Sequence, residues 1–491
     1  MEYYTLALLF LSIFTIILLS KLFSKSKQIL PPGPKPWHII GSILELGDKP
    51  HHAVAELSKK YGPIMSLKLG SKTIIVISSP EVAQEMFLKH DLAFSSRAVP
   101  HATAAGNHDK FSMVWLPVGP KWRDLRKIAI IQLFTSQTLD ASQIIRQKKV
   151  NELIDYARQC GERGMPIDIG RAAFTTSLNL LSNTFFSMDL ASHASSYSQE
   201  FKVLFESLLE MGGKPNLSDF FPLVKYLDLQ GVLRRTTFLV NKIIGIFEEV
   251  IDGRLKDPIE SVKDDVLGKL LKNVENNELD LDDVKHLLLD LFVAGTDTTS
   301  STLEWAMTEL LRNPKAMKKA QLEVEEVLGK QGPVQELDIS KLPYLQAIVK
   351  ETLRLHPPTP FLVPHKATKD VQLCNYFVPE NSTVWVNVWS IGRNSSVWTN
   401  PKSFYPERFL ENDIDVKGRD FELIPFGSGR RICPGMPLAN RMTNLMLVSL
   451  LHSFNWKCVH NETNLTELEV EEKFGLTLQK VVPLQAIPLL R

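Results

Sequence analysis

The chain has 491 residues, 44% of them apolar, with a formal net charge of +1. That is ample for a large buried core, and the near-neutral balance leaves no electrostatic footprint for a nucleic-acid partner. The four cysteines, Cys160, Cys374, Cys433 and Cys458, include no CxxC pair and make no disulfide framework, which places the body in a reducing compartment.

Tyr3 to Ser20 carries no charge and is dominated by Leu, Ile and Phe. As a helix it would span about 27 Å, close to the thickness of an endoplasmic reticulum bilayer. Lys21, Lys25 and Lys27 follow at once, and positive charge after the span holds that side in the cytosol. A cleaved secretory signal is the alternative. Against it, the first residues carry Glu2 and no Lys or Arg, and no small-x-small site precedes the lysines. Residues 1-21 are read as an uncleaved single-pass anchor with a cytosolic body. Residues 22-36 are read as a basic and proline-rich hinge ending in Pro31-Pro32-Gly33-Pro34-Lys35-Pro36, a spacer that cannot continue a helix. Five N-x-[ST] sequons, at Asn216, Asn381, Asn394, Asn461 and Asn464, should stay unmodified in a cytosolic body. Residues 37-491 are read as one catalytic domain.

Ile64 to Ser78 alternates, is β-branched and has Gly70-Ser71 at its middle, which predicts a hairpin. Val114 to Lys127 leads into a helix with Trp122 and Arg126 one turn apart. On its own that pair fits an ordinary amphipathic helix. Ser142 to about Leu271 is mostly helical in pattern, with loops at Gly161 to Met165 and Gly212 to Phe221, and holds no catalytic constellation.

Asp282 to Leu311 predicts a long apolar helix interrupted by Ala294-Gly295-Thr296-Asp297-Thr298-Thr299. Polar, β-branched residues there cost helix propensity. Thr298 can bond the carbonyl of Ala294 and bend the helix, while Gly295 leaves room for a ligand against the backbone. A kinked core helix is the plain alternative. Glu351 and Arg354 sit at i,i+3 on a helix ending at His356-Pro357-Pro358. Val371 to Val378 and Ser382 to Val388 then alternate as strands.

Phe421 to Asn440 gathers the chemistry. Cys433 stands between Phe426-Gly427-Ser428-Gly429-Arg430-Arg431-Ile432 and Pro434-Gly435. The glycines permit turns closed to other residues and the close approach of a flat ligand. Arg431 and nearby N–H groups favour thiolate over thiol, and Phe426 offers an aromatic face. Such a sulfur suits a metal held inside a planar apolar cofactor. A buried structural cysteine in a Gly-rich turn is the other reading.

The pattern Phe426-x-x-Gly429-x-Arg431-x-Cys433-x-Gly435 resembles the haem-binding signature of the cytochrome P450 family. Ala294 to Thr299 resembles its oxygen-activation motif, and Phe404-Tyr405-Pro406-Glu407-Arg408-Phe409 a later one. The likeness covers essentially the whole chain and is nearest to the plant microsomal branch that hydroxylates geraniol-type terpenoids. Ala294 to Met307, Lys214 to Pro222, Gly170 to Phe186 and Phe474 to Lys480 carry that branch likeness. A mild departure is Trp37-His38, where many members have a further proline.

The resemblance implies a mainly α cytochrome P450 fold with small β-sheets. Haem b would sit between the central helix and the Cys433 loop, with Cys433 on the iron and NADPH and O2 as co-substrates. Trp122 and Arg126 would donate to a haem propionate. His365 falls where many relatives carry an arginine for that purpose; the residue alone reads equally well as a strand-edge histidine. Asp297 and Thr298 would form an acid–alcohol pair relaying the two protons that dioxygen cleavage consumes. Glu351, Arg354 and Arg408 would form a structural triad, since buried charges persist only when paired.

Without a Rossmann fingerprint or flavin domain, electrons must come from a partner, in this family NADPH-cytochrome P450 reductase. Lys121, Arg123, Lys127 and Arg430 offer it a basic patch, or merely a solvated charged face. Phe111, Trp115, Phe292, Phe361 and Phe474 fall in or near the family's substrate-recognition regions and would line a site for a small apolar substrate, core packing being the alternative for each. The activity implied is oxygen insertion into a terpenoid. An alkaloid, phenylpropanoid or xenobiotic substrate, a haem-thiolate isomerase or lyase, and a non-catalytic membrane haem protein stay open.

Overall fold

The computed structural model describes residues 29–193, 195–256, 265–329, 332–459 and 470–491. The expected anchor and the start of the hinge lie outside the described residues. Among the described residues no helix is long and apolar enough to cross a membrane. The architecture is mainly helical with small sheets.

Helix Leu281–Arg312 runs through the core, started by a reciprocal capping box between Asp280 and Asp283. That box satisfies N–H groups that every helix start leaves orphaned. Helices Ile169–Phe186, Pro343–Leu355 and Met436–Ser453 pack around it. The predicted back-bond forms: Thr298 Oγ1 donates to the Ala294 carbonyl at 2.7 Å. The predicted long helix forms without interruption to Arg312. Thr296, Thr299 and Thr302 also donate to the carbonyls of Phe292, Gly295 and Thr298, at 2.8, 3.0 and 2.8 Å. Hydroxyls satisfied inside their own helix need no outside partner, so the polar run costs the core little.

Phe292 is fully buried. It packs against Phe185, Phe186 and Phe247 with ring centroids at 5.4, 5.4 and 5.1 Å. Its expected place in a substrate lining is therefore corrected to the core.

The largest sheet has five strands, in the order Ile64–Leu69, Lys72–Ile77, Thr383–Val386, His365–Lys366, Ser96–Arg97. The predicted hairpin forms its first pair, and Lys72–Ile77 runs parallel to Thr383–Val386. His365 stands directly opposite Arg97 in the last antiparallel pair. The single strand expected over Val371 to Val378 is instead a hairpin, Val371–Leu373 with Tyr376–Val378. Cys374 and Asn375 turn it with positive φ, a conformation that alternation alone does not reveal.

The proline segment is pinned rather than free. Ser66 donates its N–H to the Pro32 carbonyl at 2.8 Å and its hydroxyl to Pro31 at 2.7 Å. A Cβ on Gly33 would overlap the Ser66 carbonyl oxygen, so only glycine lets this segment lie on strand Ile64–Leu69.

The expected triad is present and buried. Arg354 Nε and Nη2 each reach Glu351 at 2.7 Å. Arg408 Nε lies 3.2 and 3.1 Å from the two Glu351 oxygens. It ties helix Pro343–Leu355 to the short turn Pro406–Phe409.

Candidate active site

Cys433 donates its N–H to the Phe426 carbonyl at 2.9 Å, closing the Gly-rich turn. Gly427 and Gly429 adopt φ of 73° and 66°, the left-handed region that side chains avoid. Helix Met436–Ser453 begins just beyond the thiol. The sulfur accepts from the Gly435 and Met436 N–H groups. Burial nevertheless pushes the thiol up, against those two amides and the Arg126 charge. Burial outweighs the neighbours named from sequence, so a stable sulfur anion here calls for a cation directly against it.

The sulfur opens on a cavity of about 270 Å³, far beyond the roughly 10–15 Å³ a single buried water needs. The central helix forms one wall with Leu291, Ala294, Gly295 and Thr298, and the Cys433 loop forms the other with Phe426. A Cβ on Gly295 would come within 2.9 Å of Leu181 Cδ1. This glycine therefore serves helix packing as well as the ligand clearance read from sequence.

Three guanidiniums, Arg97, Arg126 and Arg431, also line the cavity. Arg126 Nη2 donates to the Ile432 carbonyl at 2.6 Å. Arg431 Nε and Nη1 donate to the Ser95 and Met113 carbonyls at 2.7 and 3.3 Å, and its Nη2 to Leu116. Arg97 Nη1 donates to the Val363 carbonyl, and its buried Nε has no partner. Among the described residues none of the three pairs with a carboxylate. Burial and mutual repulsion push Arg97 well below the usual guanidinium range and Arg431 down to about 10. Three cations, Arg97 and Arg431 buried and Arg126 half-buried, beside a cavity-lining sulfur fit a cofactor that is anionic at its rim and cationic at its centre, as haem with its two propionates is.

Several expected roles shift. Trp122 donates its indole N–H to the Met113 carbonyl at 3.1 Å and is not in the cavity wall. The Arg126 and Arg431 guanidiniums lie 5.4 and 4.6 Å from its ring centre, so it is a cation–π platform for them. Arg431 is turned toward backbone carbonyls, and the charge acting on the Cys433 sulfur is that of Arg126. His365 lines the cavity with Nδ1 2.7 Å from the Phe94 carbonyl. Burial and the charges of Arg97 and Arg431 hold it far below the usual imidazole range, hence neutral. A cation does stand across the ladder from His365, at Arg97, which sequence reasoning missed. Its signal was the strand pairing, which is invisible in spacing.

Thr298 lines the cavity and Asp297 does not. The Asp297 carboxylate is buried and accepts from Thr477 Oγ1 at 2.7 Å and Gln479 Nε2 at 2.9 Å. Burial raises its pKa, opposed by those two bonds and by the Lys202 charge. Adjacent residues on a helix point about 100° apart; here one faces the cavity and the other the chain's last strands.

The aromatic lining is also redistributed. Trp115, Phe361 and Phe474 border a second cavity of about 130 Å³, and Leu362 borders both. Phe111 stacks on His286, ring centres 5.1 Å apart. The lining of the main cavity is chiefly aliphatic: Leu133, Leu180, Leu181, Leu291, Val363. Of the expected basic patch, Lys121 is paired with Asp283 at 2.6 Å and Arg430 with Asp91 at 2.9 Å. Arg123 and Lys127 remain exposed.

Residues 31–482 match the family model "Cytochrome P450". The chain is 57% identical to Cytochrome P450 monooxygenase 76AD131 of Lophophora williamsii over 468 residues, 94% of this chain and 93% of that one. It is 52% identical to Cytochrome P450 76AD1 of Beta vulgaris over 490 residues, 99% of this chain and 98% of that one. It is 51% identical to a geraniol 8-hydroxylase of Catharanthus roseus over 491 residues, 99% of each chain. A thiol in a cavity that three arginines border is thus set in a match to one family that spans residues 31–482. The chain belongs to the cytochrome P450 family, the monooxygenases that use a thiolate-ligated haem iron with O2 and NADPH-derived electrons.

Proposed function

We propose that this protein hydroxylates a monoterpenol or a closely related small terpenoid at the endoplasmic reticulum membrane. Residues 1-21 would anchor it, with the catalytic domain, residues 37-491, in the cytosol. NADPH-cytochrome P450 reductase would supply the electrons. The observation that carries the substrate class is the 51% identity, over 99% of both chains, to a protein named for hydroxylating geraniol. The aliphatic cavity wall supports it, since it offers apolar contact over most of a small substrate.

Bound haem supplies reductive activation of dioxygen and insertion of one oxygen atom into a C–H bond. The chain's residues do the rest. Cys433 would be the metal ligand, its sulfur held by the Gly435 and Met436 N–H groups. Arg97, Arg126 and Arg431 would hold the propionates, and Phe426 and Gly295, both in the cavity wall, would contact the cofactor. Trp122 and His365 act one step behind: Trp122 supports two of the guanidiniums, and His365 packs against Arg97 without adding charge. The Thr298 hydroxyl commits its proton to the Ala294 carbonyl. Its lone pairs are left to accept from a water in the cavity and so to steer proton delivery. Asp297 fastens this helix turn to Thr477 and Gln479.

Purified protein, reconstituted with reductase and NADPH and offered a panel of terpenoids, tests the reading. Oxidised monoterpenol is the expected product. NADPH-dependent oxidation of other classes with no terpenoid turned over would reject the substrate assignment.

A further inference from the structure

Helix Pro50–Tyr61 and strand Glu472–Lys473, from opposite ends of the chain, meet at one carboxylate. His51 Nε2 lies 3.0 Å and His52 Nε2 3.1 Å from the same oxygen, Glu472 Oε2. The three ligand-type atoms all lie within 4.8 Å of one another. His51 and Glu472 are buried, whereas the His52 side chain is 43% exposed. The cluster is thus closed to water on one side and open to it on the other.

The surroundings hold these groups in place. The Trp389 ring stacks on His52 and the Phe474 ring on His51, with centres 4.2 and 5.5 Å apart. Asn387 Nδ2 donates to the His51 carbonyl at 3.1 Å and steadies the helix start. The other carboxylate oxygen, Glu472 Oε1, accepts from Trp389 Nε1 at 3.4 Å. It also faces His356 Nδ1 at 3.4 Å and Arg393 Nη2 at 3.9 Å. Fixing Oε1 in this way leaves Oε2 aimed between the two imidazoles, as outer partners orient carboxylates that bind metals.

We propose that His51, His52 and Glu472 form a zinc site. Zinc takes imidazole nitrogen at about 2.0–2.1 Å and carboxylate oxygen at about 2.0–2.2 Å. Tetrahedral ligands at that radius stand roughly 3.3 Å apart. The observed 3.0 and 3.1 Å need only a slight opening to admit the ion. Two nitrogens and one oxygen suit zinc over magnesium or calcium, which prefer oxygen throughout. Water on the exposed His52 side completes four ligands. The Arg393 charge opposes the ion from the far oxygen, which makes the site weaker than one with four protein ligands. Bound zinc clasps helix Pro50–Tyr61 to strand Glu472–Lys473, beside the second cavity that Pro50 and Phe474 border.

The test is equilibrium dialysis of the untagged, chelator-washed holoenzyme against zinc chloride, with zinc counted per haem. Wild-type protein should take up one zinc with a Kd of about 1 µM, and ~1 mM magnesium should not displace it. With free zinc about 100-fold above Kd, Tm should rise by about 2–3 °C. His52→Ala removes a partly exposed ligand, and Glu472→Gln keeps the shape while removing the charge. Each should weaken binding at least ~10-fold and lose the rise in Tm. Zinc-edge X-ray absorption of the loaded protein should show imidazole and oxygen ligands at about 2.0–2.1 Å. Zinc held at the wild-type Kd in both variants places the ion elsewhere and overturns the proposal. No saturable zinc up to about 50 µM overturns it too, and leaves the cluster a hydrogen-bonded hub. Neither result bears on the terpenoid reading.

Discussion

Removing the charge of Glu351 should cost this protein much of its thermal margin. Its two oxygens receive Arg354 through two contacts of 2.7 Å, the Arg408 Nε, and the Tyr405 N–H at 2.7 Å. All three charged side chains are buried. Breaking a buried pair by deleting one partner typically costs about 3–5 kcal/mol, because the remaining charge stays desolvated. Arg354 keeps the Gly392 and Pro401 carbonyls at 2.5 and 2.7 Å, and Arg408 keeps Thr399 at 2.9 Å, which places the loss at the lower end. At about 2 cal/mol/K per residue, a chain of this length melts with an entropy near ~1 kcal/mol/K, so Tm should fall by about 3 °C or more.

Glu351→Gln isolates the charge from the packing. It keeps the volume but turns an amide N–H toward a guanidinium, so it should lose nearly as much as Glu351→Ala. The assay is a melt of the holoprotein followed at the haem band, with the carbon monoxide difference spectrum counting intact sites. A Glu351→Gln melting point within 1 °C of wild type would refute the reasoning. The two arginines would then be sufficiently held by backbone carbonyls.

Cys433→Ser should abolish the carbon monoxide band that marks thiolate ligation; a normal band would remove Cys433 as the ligand. Thr298→Ala should retain haem and release more peroxide per NADPH consumed, because the hydroxyl that steers proton delivery is gone. Unchanged coupling would count against that role. Arg97→Met should weaken haem retention about 10-fold or more, the worth of one charged hydrogen bond. The haem-free protein should be no less stable, since the substitution relieves repulsion from Arg431 and Arg126. Acid should loosen the hub at Glu472, which His51 and His52 approach at 3.0 and 3.1 Å. Glu472 is held far below its ordinary 4.5, and burial lowers His51 from 6.5. Both folded pKa values are depressed, so both contributions are full at neutral pH. The His51 contribution fades as pH falls below about 6.5 and that of Glu472 below about 4.5. Glu472→Gln should flatten the acid limb of a plot of Tm against pH, and a parallel curve would disprove the linkage.

What sequence made legible were features set by local pattern. The hairpin at Ile64–Ile77, the long helix through Gly295 and the turn before Cys433 follow from spacing and residue type, while the Glu351 triad is reached only through the family resemblance. What it hid were directions. Adjacent residues at 297 and 298, about 100° apart on one helix, face different surroundings. The aromatic side chains read as one lining divide between the core at Phe292 and a second cavity at Phe361. Arg97 comes to lie opposite His365 because two short strands pair, a contact between residues 268 positions apart. Position in a motif names the chemistry, while packing decides which atom faces the reaction.

The pinned proline segment has a practical corollary for anyone shortening this chain. Strand Ile64–Leu69 is the sheet's outer rim, and unprotected rims recruit other chains. Pro31, Pro32 and Ile40 to Ser42 shield that rim with their own backbone bonds, and Ile29 braces the neighbouring hairpin through Phe377. A shortened chain should therefore be cut upstream of Ile29. Trimming further, to Trp37, would leave a protein with its catalytic pocket intact and a sticky margin.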